Sequence, residues 1–123
     1  MTNNFASYAI EFKCQFKNEG GWLDSGSVYS CGVSDPSNSE CKNKLTKIKG
    51  DHKYAHDNNG VIGFWARGQV LESIPDDIGT IFLNIKRFWW NDESKLQTLT
   101  AKDLKQFPHL EAIALGAPAW RSV

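Results

Sequence analysis

Two tryptophan–arginine pairs are the residues best suited to chemistry in this sequence. Trp65 and Arg67 stand two apart, as do Arg87 and Trp89. Both pairs lie in runs where apolar residues alternate with other types, so each pair should share one face of a strand. Indole and guanidinium groups are enriched where proteins grip other molecules. Asn91 and Ala114 fall on the same parity and complete the expected contact set of Trp65, Arg67, Arg87, Trp89, Asn91 and Ala114. The chemistry this set offers is recognition, not bond making.

The other reactive side chains fit catalysis poorly. His52 and His56 are four apart, which suits two metal ligands on a helix. They lie instead in a stretch rich in Gly, Asn and Asp, with no Glu between them, so solvated loop histidines are expected. His109, directly before Leu110, reads as a structural turn residue. Cys41 could pair with either loop histidine as a nucleophile, but nothing in the sequence orients it. The stretch GVIGFWARG has the wrong spacing for a phosphate loop. No metal, no cofactor and no enzymatic activity are expected. There are three cysteines, an odd number, so one thiol is left over if a bridge forms.

The elements that must position these residues follow from periodicity. Residues 7–16 alternate cleanly: Tyr8, Ile10, Phe12, Cys14 and Phe16 share one parity. Period two with apolar residues on one side predicts a half-buried strand. A turn-rich connection follows from Asn18, and residues 28–33 predict a second strand. The two should form an antiparallel hairpin. Cys14 and Cys31 would then lie on adjacent strands, either as two buried thiols or as a disulfide. A bridge closing a loop of about 17 residues stabilises by roughly 3 kcal/mol. Cys41 lies in the polar loop 34–44, free or available to a second chain. Residues 45–49 could form a brief strand, and a polar loop leads to residue 60.

From residue 61 a pattern recurs. Val61, Phe64 and Ala66 match Ile85, Phe88 and Trp90, and these match Leu110, Ile113 and Leu115. Phe82 matches Phe107, and Leu71–Ile74 matches Leu96–Leu99. The period is about two dozen residues, within the range of leucine-rich repeats. A single such unit cannot bury its apolar side, so copies must stack into ladders. Phe82 and Phe107 should form one ladder on the convex side. Asp76, Asp77 and Thr100 offer helix-start chemistry for the return segments. The fold class expected is α+β and β-rich: a short leucine-rich-repeat solenoid with parallel strands on its concave face, behind an N-terminal antiparallel hairpin cap. It should be one domain over 1–123, with the cap at about 7–50, the repeats at about 60–116 and a tail at 117–123. Neighbouring Trp65 and Trp89 should stack, and Ala112, Ala114 and Gly116 should leave a flat floor beside them. The last strand should present an open edge unless the tail covers it through Trp120.

The order EFKCQF, VYSCGV, IKGDH, GVIGFWARGQVLESIP, DIGTIFLNIKRF and LQTLTAKDLKQFPHLEAIAL resembles the N-terminal region of secreted insect leucine-rich-repeat proteins. The resemblance spans roughly residues 8–116. It implies a Cys14–Cys31 bridge and a secreted, non-catalytic protein. Lys and Arg number 14, as do Asp and Glu, so the basic excess of a nucleic-acid binder is missing. No 18-residue apolar run offers a membrane span. Met1–Asn4 is polar, so the secreted reading takes a leader to have been removed. No Asn-x-Ser/Thr glycosylation signal occurs. The expected role is an extracellular interaction or self-assembly module using the concave Trp/Arg face and the open C-terminal repeat edge, its partner a protein or a second copy in a homo-oligomer. The alternative is a small-ligand or carbohydrate binder using Trp65 and Trp89.

Overall fold

A computed structural model describes residues 10–20, 26–33, 45–67, 74–75, 77–91, 101–115 and 121–122. The strands are β1 (Ile10–Lys13), β2 (Gln15–Glu19), β3 (Val28–Val33), β4 (Leu45–Lys49), β5 (Gly63–Arg67), β6 (Arg87–Asn91), β7 (Ala112–Leu115) and β8 (Arg121–Ser122). Two short helices, α1 (Ile78–Ile81) and α2 (Ala101–Lys105), lie between β5, β6 and β7. The protein is small and β-rich, with a two-stranded sheet β1-β4 and a six-stranded sheet β2-β3-β5-β6-β7-β8.

The alternating run at the N-terminus does not make one strand. It divides at Cys14. β1 runs parallel to β4, whereas β2 runs antiparallel to β3, with Gln15 opposite Gly32 and Glu19 opposite Val28. Side-chain alternation continues through the division: Phe12, Cys14 and Phe16 are buried, and Lys13 and Gln15 are exposed. The Cys14 N–H donates to the Lys49 carbonyl at 2.8 Å. Gly50, at φ +122°, packs where a Cβ would collide with the Cys14 carbonyl. Only glycine adopts that backbone cheaply, so the β4 end can press against the fork. The turn-rich connection also begins later than expected, because β2 extends through Asn18 to Glu19.

β3, β5, β6 and β7 are parallel neighbours, with Cys31, Phe64, Phe88 and Ile113 in one row. The backbone bonds that lead into each strand repeat. Ile62 N–H donates to Tyr29 O at 2.9 Å, Lys86 N–H to Ile62 O at 2.8 Å, and Glu111 N–H to Lys86 O at 2.9 Å. The core lies on one side of this sheet. Phe64 and Phe88 stack at 5.6 Å between ring centroids, and Phe12 meets Phe64 at 6.1 Å. Phe82 and Phe107 are both buried beneath the sheet. Phe82 rests on Phe64 at 6.1 Å and Phe107 on Phe88 at 5.0 Å, so each return segment closes over its own strand. Burying each such ring stabilises the fold by about 1.5–3 kcal/mol.

The returns are tied to one another by Gln106. Its amide donates to Pro75 O at 3.1 Å and accepts the Gly79 N–H at 2.8 Å. A Cβ on Gly79 would collide with the Gln106 carbonyl, so glycine permits that approach. Asp77 stands at the α1 N-cap without a side-chain capping bond, contrary to its expected role; its carbonyl accepts from Thr80 and Ile81 N–H. Asp76 and Thr100 lie outside the described residues.

Cys14 and Cys31 sit at disulfide-bonding distance, with Cα atoms 5.0 Å apart. Cys41 and Trp120 lie outside the described residues. At the far end the β7 edge is not bare. β8 pairs antiparallel with it, Ser122 opposite Ala112 and Arg121 opposite Ile113.

Candidate functional site

The face opposite the core carries the expected contact residues in two rows. One row runs Lys17, Ser30, Gly63, Arg87, Ala112 across β2, β3, β5, β6 and β7, and the next runs Gln15, Gly32, Trp65, Trp89, Ala114. Arg67 pairs with Asn91 in backbone register; their side chains lie outside the described atoms. Parallel neighbours are about 4.8 Å apart, so each row is a continuous stripe.

Trp65 does not turn toward Trp89 as expected. Its indole lies the other way, flat over β3, where a Cβ on Gly32 would overlap the ring. The indole N–H donates to Glu19 Oε1 at 2.7 Å. Ser30 Oγ, buried beneath, lies 3.3 Å from the same oxygen and 3.2 Å from Lys17 O. Glu19 and Trp65 are 46 positions apart, and no spacing rule links them. Trp89 is half-buried.

Arg87 is less available than its residue type promised. Its side chain is only 11% exposed, and Nη1 contacts Glu111 Oε1 at 2.6 Å and the Lys86 carbonyl at 3.3 Å. Its Nε is buried and has no hydrogen-bond partner among the described residues. Donation from Arg87, reinforced by the positive charges of Arg87 and Lys86, holds the exposed Glu111 carboxyl below the ordinary carboxylate range. Glu111 follows Arg87 by 24 positions, one repeat, so the repeat period was the signal that could have paired them. The expected flat floor is closed: Ala112 and Ala114 are 0% and 1% exposed. Ala114 therefore packs and is not an accessible binding residue. Gly116 lies outside the described residues.

The loop histidines are not simply solvated. His52 stacks on Phe16 at 3.9 Å between ring centroids. Its Nδ1 hydrogen-bonds the Tyr29 hydroxyl at 2.8 Å, and its Nε2 hydrogen-bonds Asn58 Oδ1 at 2.7 Å. The Tyr29 oxygen in turn accepts the Lys53 N–H at 3.0 Å. His56 lies against the Tyr29 ring at 4.1 Å. Left-handed backbone at Tyr54 and Ala55, φ 59° and 60°, shapes the loop so that both rings return to the sheet end. Both rings lie against Tyr29, His52 partly buried and His56 exposed. Among the described residues, no three His, Cys, Asp or Glu side chains are gathered to hold a metal ion.

An open depression of about 290 Å³ is lined by Lys13, Cys14, Gln15 and Gly32. Among the described residues, no helix is long and apolar enough to cross a membrane. The geometry places one pinned indole, with the Glu19 carboxylate beside it, and a second half-buried indole in the same row, on the sheet face away from the core. Comparison with protein families, with curated proteins and with solved structures finds no match to this chain.

Proposed function

We propose that the chain is a secreted, non-catalytic leucine-rich-repeat module that binds a protein or a second copy of itself through the Trp65/Trp89 sheet face. One observation carries this reading. Parallel strands in register present two half-buried tryptophans in one row, on the face away from the core. Partly exposed indoles at neighbouring register positions of one sheet face are unusual on a surface with nothing to bind. The 24- and 25-residue offsets between Phe64, Phe88 and Ile113 support the repeat reading, and the buried cysteine pair supports an oxidising compartment. Pairing of β8 with β7 favours the sheet face over the C-terminal edge as the point of contact.

The depression beside Gly32 favours a second reading, a small-ligand or carbohydrate binder. Trp89→Ala separates the two. In the assembly reading, light scattering across a concentration series shows weaker association of the variant. In the ligand reading the mass is unchanged and sugar binding by calorimetry is lost. A wild-type chain that stays monomeric at every concentration, and that loses nothing in partner or sugar binding on substitution, would sink both.

A further inference from the structure

We propose that Trp65 and Glu19 form a half-site for a cationic group, a guanidinium or an alkylammonium. This rests on reading the sheet face as a contact surface, and it narrows the chemistry of what that face accepts. Glu19 Oε1 alone takes the two available donors, Trp65 Nε1–H at 2.7 Å and Ser30 Oγ at 3.3 Å. Oε2 has no hydrogen-bond or ionic partner among the described residues, although Glu19 is half-buried. A partly desolvated carboxylate with an unused oxygen attracts a positive charge more strongly than a fully exposed one.

The indole adds the second component. One ring face is pressed on Gly32, and the N–H is fixed by the carboxylate. The ring is therefore held in place over β3 while remaining partly exposed. Indole is the aromatic system whose π face best attracts cations, at centroid distances within about 6 Å. Donation of the N–H to an anion enriches that face further. A flat guanidinium laid on the ring can direct an N–H at Oε2, combining stacking with a charged hydrogen bond.

Lys17 limits the site. It lies two residues before Glu19 on the same face and makes no ion pair among the described residues. Its ammonium is the competitor inside the chain, so Lys17→Ala should strengthen binding of an added cation.

The test follows the Trp65 indole N–H by two-dimensional ¹⁵N NMR, with Trp65→Phe used only to assign the signal. The probes are N-acetyl-arginine amide, tetramethylammonium chloride, neutral N-acetyl-glutamine amide and methyl glucoside, at matched ionic strength. The arginine probe should give a saturable shift in the millimolar range. Glu19→Gln keeps an acceptor for Trp65 and Ser30 but removes the charge, and should weaken that binding about fivefold. No saturable shift, or equal binding to wild type and Glu19→Gln, overturns the proposal. A glucoside shift equal in both proteins overturns it too, in favour of a neutral stacking ligand. Failure here leaves the broader contact surface standing if Trp89→Ala still weakens association.

Discussion

At the residue scale the controlling position is Gly32. The Trp65 ring occupies the space a side chain would take there, and this brings the indole N–H to Glu19. Gly32→Ala should displace the indole and break that bond while leaving the strand pairing intact. The expected outcome is a changed Trp65 indole N–H resonance and near-ultraviolet dichroism, with far-ultraviolet dichroism unchanged. An unshifted indole signal would show that the ring is not seated on β3. The sequence made Trp65 conspicuous but not its direction. Its orientation depends on a missing Cβ at 32 and a carboxylate at 19, neither adjacent in sequence. Arg87 misled for a similar reason: its type suggested an exposed anchor, but Glu111, just before β7, already engages it.

At the element scale the legible part was the set of strands β5, β6 and β7. Their apolar residues recur at nearly constant spacing, and the observed register aligns the repeated positions. Phe88 lies at the centre, fully buried, touching Phe64, Trp90 and Phe107. Phe88→Ala should cost about 3–5 kcal/mol, because lost transfer energy adds to a cavity the neighbours cannot fill. Leu83, 51% exposed, provides the control, with a cost for Leu83→Ala within about 0.5 kcal/mol. Urea unfolding of both variants checks the pair, and equal losses would contradict this placement of the core. The division at Cys14 was not legible. Alternation persists across it, so the pattern of faces carries no mark of the change of sheet. What separates β1 from β2 is the choice of hydrogen-bond partner, set by Lys49 and Gly50 far along the chain.

At the scale of the whole molecule, Cys14 and Cys31 join the fork between the two sheets to the strand that begins the parallel stack. Replacing both by Ser should lower stability by about 3 kcal/mol, in line with a closed loop of this size. Reductant should lower the denaturation midpoint of the wild type and leave the double variant unaffected. An unchanged midpoint on reduction would mean that the crosslink adds nothing to the fold. The sequence anticipated adjacency of these two residues, since both fall on the apolar parity of their segments.

The short strand β8 has a consequence for growth. It runs against the direction of the stack and takes outer backbone groups of β7 at Ala112 and Ile113. Another parallel strand could not simply be appended there; it would first have to evict Arg121 and Ser122. Elongation and termination therefore compete for the same carbonyls and amides. A visitor to that end that leaves β8 in place must engage side chains such as Leu115, 41% exposed, and cannot extend the ladder from Ala112 and Ile113.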